Sequence, residues 1–171
     1  MLQSFRTDTY NPDWVGRAGL DLGLGYCISF ARGLSPDEAL TRIGLPGVYW
    51  RNWTELRGRA LHQQGRLPVG VFPIGDFAVL VEEDGYLGTL SAWNVPLSAG
   101  TVAIVVRQDP CAGTQSLTIL ENGERKARLV GDENSESGRA DLLRLACEFL
   151  DLRPGVDDVT GPVIGMPVAV P

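Results

Sequence analysis

Regular alternation of large and small side chains begins at Tyr26. In Tyr26–Arg32 (YCISFAR), Tyr26, Ile28 and Phe30 alternate with Cys27, Ser29 and Ala31, the period of a strand whose second face is closely covered. The next residues, Leu34-Ser35-Pro36-Asp37-Glu38, form a helix start. Ser35 is placed to cap, Pro36 suits the first helical position, Glu38 completes a capping box, and Leu34 staples against Ala39. This helix turns Ala39, Leu40 and Ile43 inward and stops at Gly44. A second helix is predicted from a cap at Thr54 to about Gln63, with Leu56, Ala60 and Trp53 on its buried side and Gly65 ending it. Gly58 weakens it by about 1 kcal/mol relative to Ala.

From Val69 the period changes to two. Val69–Phe72 reads as a short strand, and Phe77–Glu82 (FAVLVE) as a nearly all-apolar one that belongs at the centre of a sheet. Asp84-Gly85 turns the chain, and Tyr86–Leu90 is expected to pair back. Thr101–Arg107 is another buried strand. Leu117–Glu121 and Arg125–Val130 flank Asn122-Gly123, the strongest short hairpin signal. After a polar loop at Asp132–Gly138, an amphipathic helix is expected over Arg139–Leu152, with Leu142, Leu145, Ala146 and Phe149 at helical spacing. The order predicts an α+β fold: an antiparallel or mixed sheet with helices packed mainly on one face, in one domain over residues 1–152. Four prolines and three glycines between Arg153 and Pro171 argue against a helix there. They predict an extended tail over residues 153–171, either flexible or laid along a surface.

Composition adds limits. The 171 residues are 44% apolar and 21% charged, enough for one domain with its own core. The net charge of −6 divides into +2 over residues 1–67 and −8 over residues 68–171. Nucleic acid is disfavoured as a partner, because an acidic chain neutralises phosphates poorly. Cys27, Cys111 and Cys147 form no C-x-x-C pair, the opening residues lack a secretory apolar core, and no apolar run approaches a membrane span. The expected location is the cytoplasm, with reduced thiols.

Catalytic chemistry is thinly supplied. His62 is the only imidazole and sits in a polar stretch, so a Ser-His-Asp or Cys-His set would have to use it. One histidine and three scattered cysteines do not make a zinc site. The glycines between Gly19 and Gly25 precede a strand, whereas a dinucleotide loop needs them after one. Carboxylates are the one abundant catalytic type: Glu82-Glu83-Asp84 ends a buried strand and Asp76 precedes it. Glu82 and Glu83 point to opposite faces of their strand and do not converge; the bland reading is a solvated hairpin end. Glu82, on the side of Ala78 and Leu80, is the carboxylate to watch. Cys111, after Arg107, reads as an ordinary free thiol.

The aromatic residues are more suggestive. Tyr49-Trp50-Arg51-Asn52-Trp53, followed by Arg57 and Arg59, interleaves rings with guanidiniums, the residue types that dominate binding hot spots. The alternative is that one tryptophan plugs the core and the arginines are solvated. The candidate binding surface comprises Tyr49, Trp50, Arg51, Trp53, Arg57, Asp76, Glu82, Tyr86 and Trp93. No catalytic residue, metal ligand or cofactor is assigned.

The chain resembles a family of small uncharacterised proteins common in Streptomyces and related actinobacteria. The resemblance runs over roughly residues 10–152. It is carried by Trp14, Gly25-Tyr26-Cys27-Ile28-Ser29-Phe30, Arg32-Gly33-Leu34-Ser35-Pro36-Asp37-Glu38, Gly75-Asp76-Phe77, Glu82, Gly85 and Leu97-Ser98-Ala99-Gly100-Thr101. It implies an actinobacterial, intracellular origin and no particular activity. The reading with most support is a non-enzymatic protein-binding or regulatory module, of the kind that neutralises a partner. Its acidic second half would favour a basic partner. The alternative is a small-molecule-binding protein or compact tailoring enzyme, with a pocket between the sheet and the Trp50–Trp53 segment. Self-association through the Pro-rich tail is a third.

Overall fold

The computed structural model describes residues 19–132, 142–154 and 156–170; Trp14 and residues 133–138 of the polar loop lie outside them. Eight strands form one antiparallel sheet in the order β2-β8-β3-β4-β1-β5-β6-β7. They are β1 Tyr26–Arg32, β2 Val48–Trp50, β3 Arg66–Ile74, β4 Phe77–Glu83, β5 Val102–Asp109, β6 Thr114–Glu121, β7 Glu124–Asp132 and β8 Val163–Ala169. The helices are α1 Pro36–Arg42, α2 Trp53–Leu61, α3 Ser91–Ser98, α4 Leu142–Phe149 and α5 Val156–Thr160, with a single 3-10 turn at Leu87–Thr89. Among the described residues no helix is long and apolar enough to cross a membrane.

Local chemistry sets several of these boundaries. Ser35 Oγ accepts from the Glu38 amide at 3.2 Å, with Pro36 following it. The same helix closes with Leu45 N donating to Leu40 O at 2.9 Å and Gly44 N to Thr41 O at 3.1 Å, the paired bonds of a glycine stop. At the second helix the cap is Asn52 and not Thr54: its side chain accepts from Glu55 N at 3.0 Å. Asn122 and Gly123 have φ of 52° and 80°, as a two-residue turn between β6 and β7 requires.

The helices lie on both faces of the sheet, not mainly on one. On the first face Ile28, Phe30, Phe72, Val79, Val81 and Ile104 pack under Trp53 and Leu56 of α2, Leu142 and Ala146 of α4, and Val159 of α5. On the second, Ala31, Val71, Ala78, Leu80 and Ala103 meet Leu40 of α1 and Trp93 and Leu97 of α3. The reason is visible in β4, where all seven residues are buried. A strand apolar on both sides needs cover on both sides.

Three further expectations change. Tyr86–Leu90 does not pair as a strand; the chain enters the 3-10 turn and then α3, which tolerates Pro96 inside it. In α4 the inward face is Leu142, Leu143, Ala146 and Cys147, whereas Leu145 and Phe149 are exposed. The C-terminal segment is no tail. Val156–Thr160 is helical, and Val163–Ala169 is inserted between β2 and β3. Pro68 and Pro167 occupy the same register position on these paired strands.

A polar groove beside a buried carboxylate

The end of β4 places Glu82 and Glu83 on opposite faces, and neither is solvated. Glu83 belongs to the first face. Its Oε1 accepts from the indole Nε1 of Trp53 at 2.8 Å and from the Asp21 amide at 2.7 Å. Arg57 Nε lies 2.9 Å from its Oε2, and Arg57 also reaches Asp21 Oδ2 at 3.3 Å. Burial pushes the Glu83 carboxyl above its usual range, opposed by these donors and by the Arg57 charge. The group ties the segment before β1 to α2 and β4. It is a structural clamp, its carboxylate oxygens taken up by intrachain donors.

Glu82 is on the second face and almost wholly buried. Oε2 accepts from Leu87 N and Oε1 from Gly88 N, each at 2.8 Å, and the Cys27 thiol is hydrogen-bonded to the same carboxylate. Burial raises its pKa to about 7, against the pull of both amides and of the Arg107 charge. Burial, then the neighbouring Glu82, pushes the Cys27 thiol well above its ordinary value. Glu82 thereby anchors the 3-10 turn on the sheet. Gly88 permits the approach: a Cβ there would stand 2.6 Å from Ser29 Oγ and 2.9 Å from Cys27 Sγ. Ser29 Oγ and Arg107 Nε are buried without a hydrogen-bond partner among the described residues, while Arg107 bridges Asp109 at 2.9 Å and lies over the Tyr86 ring.

The anchored turn leads directly into Thr89, and Thr89 opens a groove of about 460 Å³. Its floor is Val105, Ser116, Thr118 and Leu120 from β5 and β6. Ser91, Asn94 and Val95 form the α3 wall, and Gly123, Arg125 and Arg128 the other. Val105 and Leu120 share a small apolar cluster with Cys27, so the floor continues inward toward the Glu82 site.

The residues singled out from the sequence do not form one surface. Trp53 is fully buried against Phe72, with ring centroids 6.1 Å apart, and Arg57 is committed to Glu83. Trp50 is half-buried and donates from Nε1 to Gly165 O at 2.9 Å. Tyr49 and Arg51 are exposed, Arg51 pairing with Glu55 at 3.2 Å. Asp76 lies exposed in the β3–β4 turn, where its carbonyl accepts from Gly33 N at 2.7 Å. Trp53 and Arg57 meet at Glu83 on the first face, whereas Tyr86 and Trp93 pack in the second-face cluster with Leu87, whose amide donates to Glu82. His62 is exposed at the end of α2, and Cys111 is exposed with Cys27 and Cys147 buried. The groove residues Ser116, Thr118, Arg125 and Arg128 escape sequence reading, since a hairpin strand with alternating polar residues looks like any half-exposed strand. Helix α3, which the sequence pattern does not reveal, forms their opposite wall.

No curated protein and no solved structure matches the chain. A family model matches residues 8–141, from before the first described residue to the segment preceding α4. The chain therefore belongs to DUF6461, a family of unknown function.

Proposed function

We propose that the protein is a non-enzymatic protein-binding module of an actinobacterial cytoplasm, and that it receives an extended segment of its partner along the outer edge of β7. One observation carries the reading. β7 is nine residues long and ends the sheet, and every side chain from Glu124 to Val130 is exposed. An outer strand presents a row of unpaired amides and carbonyls, a template for a further strand. The opposite edge, β2, is only three residues long. On β7 the apolar Leu129 and Val130 are 49% and 64% exposed, so an added strand with apolar residues at alternate positions would cover side chains as well as backbone. The sequence resemblance supports the actinobacterial setting, and three cysteines outside any disulfide, two of them buried, suit a reducing compartment.

A pocket between the sheet and the Trp50–Trp53 segment finds no support, because Trp53 and Leu56 fill that space against Gly70 and Val163. The test is capture from an actinobacterial host extract at moderate salt, with wild-type bait and bait carrying Leu129→Lys and Val130→Lys. The expected result is a stoichiometric partner bound by the first and lost from the second. Amide exchange in the complex should be slowed along β7. A partner retained by both baits, or none with either, overturns the reading.

A further inference from the structure

The groove holds two arginines whose presence on one side of a strand is unexpected. Arg125 and Arg128 are three positions apart, so plain alternation would send them to opposite faces. An irregularity in the β6–β7 ladder changes this. Thr118 pairs with Arg128 and Ile119 with Ala127, but Leu120 pairs with Arg125, leaving Lys126 as the extra residue. The bulge turns Arg125 onto the face that carries Arg128, and both line the groove. Bulges re-aim side chains in this way beside binding and active sites.

Neither guanidinium makes a hydrogen bond or ion pair with another described residue, although the chain carries a net charge of −6. Lys126, by contrast, is paired with Glu124 at 2.8 Å. The hydroxyls of Ser91, Ser116 and Thr118 are likewise without hydrogen bonds to described residues. Val95, Val105 and Leu120 supply an apolar side to the same space.

We infer that this groove binds a small molecule bearing a phosphate or carboxylate group on a compact apolar body. Arg125 and Arg128 hold the oxyanion, the Ser116 and Thr118 hydroxyls donate to it, and the apolar body lies against Val105, Leu120 and Val95. Arginine suits this task because its planar fork of donors matches two oxyanion oxygens at once. The volume falls within the range of small-ligand sites, about 300–1,000 Å³. The inference is independent of partner binding at β7 and is tested on the isolated chain.

Phenyl phosphate, benzoate, inorganic phosphate and neutral benzyl alcohol are titrated into the purified full-length protein at low salt, by calorimetry and amide NMR. Saturable binding of phenyl phosphate or benzoate is expected, with shifts centred on Thr118, Gly123 and Arg128. Arg125→Ala and Arg128→Ala should each weaken it by about 10-fold, the scale of one charge-assisted contact, and Arg128→Lys should recover part of the loss. Lys126→Ala removes the same charge outside the groove and should leave affinity unchanged. Both arginines are exposed, so thermal denaturation of the variants should match wild type. The inference is overturned by equal binding of benzyl alcohol, by equal weakening in Lys126→Ala, or by shifts that map elsewhere. A Glu-rich peptide that saturates the site when no small anion does would also overturn it.

Discussion

Gly70 and Trp53 compete for one volume: a Cβ on Gly70 would stand 2.7 Å from Cζ3 of the indole. Gly70 is paired across β3 and β8 with Gly165, where a Cβ would collide with the Val69 carbonyl oxygen. Two bare positions side by side let α2 settle Trp53 directly on the strands, within reach of Glu83. Gly70→Ala should therefore lower stability by about 1–3 kcal/mol, the cost of overpacking a filled core. The urea midpoint measures it, and a variant as stable as wild type would mean that Trp53 is free to move.

The Glu83 clamp makes a second prediction. Arg57→Ala leaves a mostly buried carboxylate without its cation, while Trp53 and the Asp21 amide still donate to it. A loss of about 2–4 kcal/mol is expected, as for a buried pair broken on one side. Adding Glu83→Gln to that variant should recover much of the loss. If the two substitutions were simply additive, the clamp would not act as a unit.

Glu82 predicts a pH dependence of definite sign. Its folded pKa, about 7, lies above the ordinary 4.5, so the native state holds a proton that the unfolded state releases. Its contribution to stability is fully present below pH 4.5 and is lost as the pH rises through 7. The loss is on the order of 3 kcal/mol, at about 1.4 kcal/mol per unit. Glu83, also raised, adds in the same direction. Wild type measured against Glu82→Gln by denaturant titration at pH 5 and pH 8 should lose its relative advantage at the higher pH. A constant difference between the two proteins would refute the assignment.

Removing residues 163–171 takes away a strand with neighbours on both sides, together with the buried Val163 and Ile164. Loss of cooperative thermal unfolding is expected by far-UV circular dichroism. A truncated chain that kept its transition would show that β8 is dispensable.

Thiol accessibility offers a simple check on packing. Cys111 is exposed while Cys27 and Cys147 are buried, and reactivity follows exposure and thiolate content. An aromatic disulfide reagent should titrate one thiol per native chain and three after denaturation. Rapid reaction of two or more in the native protein would place Cys27 or Cys147 at the surface.

Much of the scaffold is determined by the sequence alone, because its signals are local. The capping box at Ser35 and Glu38, the alternation of β1, the apolar run of β4 and the turn at Asn122-Gly123 each act within a few residues. The opposite facing of Glu82 and Glu83 follows from strand geometry in the same way. Tertiary structure decided the rest. The Val163–Ala169 segment has the composition of a loose arm, and it becomes an inner strand only because β2 and β3 supply partners for its backbone. Helices cover both faces because β1, β3, β4 and β5 assemble into a sheet with two apolar sides; the apolar run of β4 hints at this, but which helix covers which face is decided by packing between distant segments. In sequence Glu82 looks like a solvated hairpin end, yet the fold buries it and gives it two amides from a turn whose local pattern suggests a strand. The groove depends on a one-residue bulge that places Arg125 beside Arg128. Strand register is a relation between two segments, and neither segment encodes it alone.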